Sequence, residues 1–295
     1  MVLTDFHRMN GTPKTSVQEF MDHGVDVFIQ RRTTRVVDAD DVTNAGTGVI
    51  IRLRDHFFVA TASHVIQRDH NYYIAPSAPN ANEYSDFVAK HLSCIDDVAV
   101  LELNPRTIER FLAHSDYQFL ERAELFGGRY PNSKAQIQVV GYPGHEPMQA
   151  VTHVDVTSKG RVHWVGSKSL SYVTGTLSRR EWPSPAALSR KVRRGRDVFC
   201  SFDPTIENVA ERDLREMPGS IATHKLASLP MTGMSGGGIW LARDLRGKNG
   251  LIVPGADLVG IQVSYAKDGR GKWLRGTRTK ALIDLIEANY PGLLK

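Results

Sequence analysis

The sequence predicts an all-β chain closed by one C-terminal helix, and three observations carry that prediction. Short β-branched runs, such as residues 151–156, 161–165 and 170–173, recur at close spacing between glycines, a pattern of barrels and sandwiches. Residues 48–54 and 57–61 face each other across Arg54-Asp55-His56 as a hairpin. Ala281-Leu282-Ile283-Asp284-Leu285-Ile286-Glu287 places its apolar residues at helical spacing and runs into a Pro291-Gly292 stop. With 295 residues, 41% of them hydrophobic, the chain can bury a substantial core in one or two domains.

Residues 15–23 read as a short helix or arm. Val25-Asp26-Val27-Phe28-Ile29-Gln30 alternates apolar and polar and reads as a first strand. Residues 31–45 are polar and read as loop. After the hairpin, Asn71-Tyr72-Tyr73-Ile74 is a strand, followed by a Pro/Asn-rich turn at 76–82. Residues 97–101 form another strand, 105–125 a link or helical piece, and 136–141 a further strand. Residues 176–228 are long, basic and irregular, with Asp203-Pro204 placed to cap a short helix over 206–215. No internal repeat or low-complexity tract interrupts this order.

Gly233-Met234-Ser235-Gly236-Gly237-Gly238 sets one serine in a tight turn ahead of Ile239-Trp240-Leu241. A serine hydroxyl is a poor nucleophile until a base takes its proton and backbone amides hold the oxyanion. Glycines let the backbone fold sharply and turn its N–H groups toward a substrate. Upstream, Val59-Ala60-Thr61-Ala62-Ser63-His64-Val65 ends an apolar strand in a histidine, and Asp96-Asp97 enters another apolar strand. Taken singly, each has a plainer explanation: an ordinary turn, a satisfied core histidine, an acid capping a strand. The order His64, Asp97, Ser235 makes them a set, because unrelated Ser-His-Asp enzymes differ in chain order. Subtilisins read Asp, His, Ser, and α/β-hydrolases read Ser, Asp, His.

On these residues the chain resembles the trypsin/chymotrypsin-like serine peptidases, more their bacterial and intracellular branch than the digestive enzymes. Thr61-Ala62-Ser63-His64 is similar to the family's Thr-Ala-Ala-His, and Asp97-Val98-Ala99-Val100-Leu101 to its Asp-apolar-Ala-apolar-Leu. Gly233-Met234-Ser235-Gly236-Gly237 is similar to its Gly-Asp/Asn-Ser-Gly-Gly. Gly46-Thr47-Gly48-Val49-Ile50, Val139-Val140-Gly141-Tyr142-Pro143 and Leu258-Val259-Gly260-Ile261 support it. The resemblance spans roughly residues 45–265. It implies a chymotrypsin-like pair of six-stranded antiparallel β-barrels with a C-terminal α-helix. The division is an arm at 1–24, a first barrel at 25–125 holding His64 and Asp97, a second at 126–276 holding Ser235 and the 176–228 insertion, and a helix at 277–295.

The activity implied is that of a serine endopeptidase working in the cleft between the barrels. Ser235 attacks the peptide carbonyl, His64 takes and returns the proton, and Asp97 orients the imidazole. The oxyanion hole falls in Gly233-Met234-Ser235, from the N–H groups of Gly233 and Ser235. Asp96 is the rival acid; Asp97 is preferred because it stands directly before the apolar-Ala-apolar run. The resemblance puts a substrate-pocket floor at Leu229 and its wall at Val263, Ser264 and Tyr265. No acid lies near Leu229, so the expected residue before the cleaved bond is small or apolar.

Departures from the family carry their own expectations. Digestive members have an acid before the serine, which pairs with the new N-terminus after cleavage. Met234 cannot make that pair, and Arg35-Val36-Val37, which looks like an activation site, has no receiving partner. The oxyanion loop is therefore expected to be preformed, or ordered by an activating protein. Gly238 stands where the family has proline, and Ser63 where it has alanine; neither blocks the mechanism.

The net charge of +5 is concentrated in Arg179-Arg180 and in Arg190-Lys191-Val192-Arg193-Arg194-Gly195-Arg196. The run reads first as a solvated surface loop, with an acidic partner, nucleic acid or a protease-sensitive regulatory loop as alternatives. Aromatics are not interleaved as an RNA platform requires, so nucleic acid is not among the expected partners. Those are a protein or peptide substrate and an activating protein. Cys94 and Cys200 read as free thiols of a reducing compartment. Residues 1–14 hold no apolar signal core and no stretch reads as a membrane span, so a cytoplasmic location without membrane contact is expected. No metal-binding spacing occurs, and no metal or cofactor is expected. Two other classes stay open: a catalytically silent module that binds peptide by strand addition, and a serine esterase or acyl transferase on the same triad.

Overall fold

The structure, a computed structural model, describes residues 25, 27–38, 44–66, 72–75, 91–94, 96–113, 117–127, 130–131, 135–142, 154–157, 160–163, 169–188, 191–202, 209–212, 222–224, 233–246, 252–266 and 273–294. The arm and the helix expected at 15–23, the turn at 76–82, and Leu229 lie outside them.

The first unit is an antiparallel sheet of β1 (Thr33–Asp38), β2 (Ala45–Leu53), β3 (His56–Ala62), β4 (Tyr72–Ala75), β5 (His91–Cys94) and β6 (Val98–Glu102), in the order β4-β1-β2-β3-β6-β5. Helix α1 (Pro105–Ala113) follows. The second unit holds β7 (Gln136–Gly141), β10 (Ser169–Gly175), β11 (Asp197–Ser201), β14 (Gly238–Arg246), β15 (Ile252–Tyr265) and β16 (Trp273–Arg278). Two strands of the insertion, β12 (Val209–Arg212) and β13 (Ala222–His224), lengthen one edge. The order is β11-β16-β15-β14-β7-β10-β12-β13. A separate hairpin pairs β8 (Val154–Thr157) with β9 (Gly160–His163), and α2 (Thr279–Asn289) ends the fold.

An apolar seam joins the units. Val49, Ile51, Phe58, Val98 and Val100 of the first sheet share one cluster with Val140, Trp240, Leu258 and Ile261 of the second, and with Leu282 and Ile286 of α2. Each fully buried large side chain there stabilises the fold by about 1.5–3 kcal/mol. Residues 117–126 cross between the units, with Leu120 bridging Ile51 of β2 and Leu125 bridging Leu258 of β15. Among the described residues, no helix is long and apolar enough to cross a membrane.

Three expectations about local structure are overturned. Residues 25 and 27–30 are helical, not a strand. Val25 and Ile29, four apart, are both buried, and that spacing fits one helix face as well as an alternating strand. Residues 33–38 are strand β1, not loop. Thr33, Thr34 and Arg35 are buried: all three pair with β2, Arg35 also pairs with β4, and the Thr33 hydroxyl donates to the Ile29 carbonyl of the preceding helical turn. Residues 209–212, read as helix, form β12, drawn into pairing with β10 from Ser169↔Arg212 to Tyr172↔Val209; tertiary pairing overrides weak helical preference.

Candidate active site

Strand register brings the first two groups together. β3 pairs with β6 so that Ala62 lies opposite Val98, and His64 and Asp97 sit just past those two ends. After Ala62 the chain enters a short 3-10 turn, Ser63–Val65. Asp97 adopts φ +64°, a left-handed conformation that costs an L-residue of order 1–2 kcal/mol and that Asp tolerates better than most. The cost is met by contacts. The Ser63 N–H donates to the Asp97 carbonyl at 3.1 Å, and the His64 N–H donates to Asp97 Oδ1 at 3.1 Å. His64 Nδ1 lies 3.0 Å from Oδ2 and 3.2 Å from Oδ1. A carboxylate only accepts, so Nδ1 carries the hydrogen, and in the neutral ring the lone pair is then on Nε2. The His64 side chain is about half exposed, at 47%, so a substrate can reach it.

The serine turn is built differently. Gly233 and Gly236 take φ +92° and +91°, where glycine alone is unstrained. The Gly237 N–H donates to the Met234 carbonyl at 2.9 Å, and Gly236 and Gln262 tie the turn to β15 through Gly236 N–H to Gln262 O and Gln262 N–H to Gly237 O, both 2.8 Å. Met234 is buried with Ile137, Val139, Val198, Phe202 and Ile239, and this packing anchors the position where the acid is missing. Among the described residues, neither the Gly233 nor the Ser235 N–H donates to a protein acceptor. At Gly238, a Cβ would overlap the Trp240 ring.

Thr47 links the two halves. Its N–H donates to the Ser235 carbonyl at 2.8 Å, and its hydroxyl donates to the Gly233 carbonyl at 2.8 Å while accepting the Tyr142 N–H at 2.8 Å. Its carbonyl accepts the Thr61 hydroxyl at 2.6 Å, three residues before His64. A Cβ at Gly46 would lie 3.0 Å from the Ser235 carbonyl and against Val65, the neighbour of His64. The structure therefore brings His64 and Asp97 into direct contact and sets the Ser235 turn on the same Gly46-Thr47 segment. Among the described residues, no hydrogen bond joins Ser235 Oγ to the His64 ring. Sequence reasoning noticed Gly46-Thr47-Gly48 as a motif but assigned Thr47 no role; a hydroxyl between two glycines was the available signal.

Asp96 goes elsewhere. Its carboxylate is buried and takes Arg193 Nη1 at 2.6 Å and Arg196 Nη1 at 2.7 Å. The basic run is thus not a freely solvated loop, since Arg193 and Arg196 are ion-paired, although Lys191, Arg193 and Arg194 are exposed. Of the pocket-wall residues, Val263 is buried in the apolar cluster of the first sheet, while Ser264 and Tyr265 are half-exposed. Tyr265 stands beside Phe202 with ring centres 5.5 Å apart, and burial raises its phenol pKa. Cys200 is free and buried, so it is not bridged to Cys94, and burial pushes its thiol up to about 12. Arg35, Val36 and Val37 lie inside β1 with partners on both sides, where a protease cannot reach the backbone.

No family model and no curated protein matches the chain. Solved structures follow a similar path. The serine endoprotease from Yersinia pestis is 14% identical with a TM-score of 0.47, over 94% of this chain and 67% of that one. Neuropsin, a serine protease expressed in the limbic system of mouse brain, is 12% identical with a TM-score of 0.49, over 88% and 95%. A thermostable serine protease from an extremophilic microorganism is 12% identical with a TM-score of 0.49, over 89% and 99%. These are likenesses of chain path at low identity, and the neighbours' chemistry does not come with them. By its own strand order, its seam and its terminal helix, the chain is an all-β fold of two packed antiparallel sheets closed by a C-terminal helix.

Proposed function

We propose that this chain is a serine endopeptidase that hydrolyses peptide bonds in protein substrates through an acyl-enzyme. The observation that carries the reading is the His64–Asp97 pair, 3.0 Å apart, in a fold whose serine turn is pinned to the adjoining strand end. With Nδ1 held as donor, Nε2 accepts the Ser235 proton as Oγ bonds to the substrate carbonyl carbon. The N–H groups of Gly233 and Ser235, on either side of Met234, receive the carbonyl oxygen as it becomes an oxyanion. Collapse of the tetrahedral intermediate breaks the C–N bond, and the His64 proton leaves with the amine. Water, deprotonated by His64, then repeats the addition and frees Ser235.

Control belongs to the proposal. Burial of Met234 and the Thr47 hydrogen bonds support an oxyanion loop formed without a liberated N-terminus. The enclosure of Arg35 in β1 supports the same view. An activating protein partner then acts by another route than trimming at that site. The free Cys200 thiol supports work in a reducing compartment, the cytoplasm. On the resemblance that assigns Val263, Ser264 and Tyr265 to a substrate-pocket wall, a small or apolar residue is proposed before the cleaved bond.

A fluorophosphonate probe tests the reading. Covalent labelling of the wild-type chain is expected, with loss in Ser235→Ala, and Asp97→Asn is expected to slow it by about 10⁴-fold, the scale of a displaced triad tautomer. Cleavage of a peptide library separates peptidase from esterase. The alternative is a catalytically silent peptide-binding module. Absence of labelling, alone and with cell extract, decides for that module.

A further inference from the structure

We propose that Arg193, Arg196 and Thr277, all from the second unit, are positioning residues that set the orientation of Asp97 in the first; this rests on the triad reading above. The backbone on both sides of the Asp97 φ rotation is pinned. The peptide group before it is held where the Thr277 hydroxyl donates to the Asp96 carbonyl, a short bond between buried groups. The group after it is held where the Ser63 N–H donates to the Asp97 carbonyl at 3.1 Å. Only the second of these bonds comes from the barrel that carries Asp97. A left-handed aspartate persists where its surroundings over-determine it, and here the second unit supplies half of that determination.

The Asp96 side chain completes the hold. Consecutive carboxylates diverge: Asp97 to His64, Asp96 to Arg193 and Arg196 at 2.6 and 2.7 Å. The arginines are themselves fixed. The Arg193 N–H donates to Asp197 Oδ2 at 2.5 Å, and the Arg193 carbonyl accepts the N–H groups of Arg196 and Asp197, both at 2.8 Å. Asp197 is held by Arg275 Nε and Nη2 at 3.0 and 2.8 Å. The Arg196 carbonyl accepts the Arg278 N–H at 2.7 Å, and Arg196 Nη2 reaches Asp284 on α2 at 3.1 Å, which also takes Lys280 Nζ at 3.0 Å. The basic stretch is therefore a folded turn whose inner face grips the residue before the catalytic acid. Its outer face leaves Lys191 and Arg194 exposed.

The test is a double-mutant cycle read by kinetics and by NMR of the full chain. Arg193→Ala/Arg196→Ala is expected to lower kcat about 10- to 100-fold with KM within about twofold, since misorientation of a catalytic group acts on the chemical step. In an Asp97→Asn background the same pair of changes is expected to have no further effect, because their action runs through Asp97. Thr277→Val is expected to give the same split, and Arg196→Lys, which keeps a donor for Asp96, to restore most of kcat. The downfield His64 Nδ1–H resonance is expected in the wild type and lost in the double alanine variant, with backbone amide dispersion retained. Multiplication of the effects in the Asp97→Asn background, or an unchanged resonance, overturns the proposal. The resonance does not depend on turnover: a wild type that the probe fails to label removes the peptidase reading, while the NMR comparison still decides the clamp. Should the double variant fail to fold, Thr277→Val, which removes no charge, carries the same cycle.

Discussion

Gly236 closes directly on Thr47. A Cβ at position 236 would overlap the Thr47 carbonyl oxygen and the Thr61 hydroxyl, and the residue already sits at φ +91°. The nearest clash and the φ constraint are both matters of backbone, which cannot swing aside as a long side chain can. Gly236→Ala is therefore expected to lose at least about 2 kcal/mol of stability, from the left-handed penalty and the overlap together. Probe labelling of Ser235 should fall by about 100-fold, since displacement of the turn by a fraction of an ångström misplaces both oxyanion donors. Denaturant unfolding and labelling rate on the same preparation check the two halves.

Thr47→Val isolates the hydroxyl from the backbone. The substitution keeps shape but removes the donor to the Gly233 carbonyl and the acceptor for the Tyr142 N–H, both in buried surroundings. Leaving buried polar groups unmade costs about 1–3 kcal/mol, and the loss should appear as a lower midpoint at unchanged m-value. Thr47→Ser, which restores the hydroxyl, should recover most of it. Equal stability of Thr47→Val and wild type counts against the hydroxyl as the link between serine turn and β2.

Much of the site was legible because it sits at strand ends. An apolar run stopping at His64 and another starting after Asp97 need only antiparallel pairing of β3 with β6 to meet, and the period-2 pattern makes both strands visible. What could not be read depends on partners far along the chain. The positive run at 190–196 shows charge but not that Asp96, about a hundred residues earlier, absorbs two of its arginines. Thr33, Thr34 and Arg35 look like loop because polarity is the loop signal, yet the strand is buried between two others. Val25 and Ile29 satisfy both the helical and the strand period over so short a stretch. Met234 showed only what it lacks, an acid; its anchoring by packing needed the fold of the second sheet.

Asp197 and Arg275 form a salt bridge at 2.8 Å with side chains only 2% and 3% exposed. Removing one partner of a buried pair strands a charge, at about 3–5 kcal/mol. Asp197→Asn should therefore destabilise by about that much, and should also loosen the turn that Asp197 caps at the Arg193 N–H. Replacing both, as Asp197→Asn/Arg275→Met, should cost less than Asp197→Asn alone, because no unpaired guanidinium remains. Additive losses in the two single variants, read by thermal or denaturant melts, would mean that the pair is not the unit of stability here.

Cys200 gives the fold an alkaline sensitivity of known sign. Burial alone raises its thiol from 9.0 to about 12, so the folded chain keeps a proton that the unfolded chain releases. Below about pH 9 both states hold the proton and the thiol has no effect on the pH profile. From there to about pH 12 the unfolded state binds fewer protons, and stability falls with rising pH by up to about 1.4 kcal/mol per unit. In a Cys94→Ser background, Cys200→Ala should lower stability at neutral pH through the small cavity it leaves, yet flatten the alkaline slope. A thiol reagent should modify Cys200 only as fast as the chain unfolds, because the reactive species is the thiolate and burial suppresses it. Reaction at the rate of a free thiol in the folded protein, or an alkaline slope identical in both variants, contradicts the enclosure of Cys200 in the core of the second sheet.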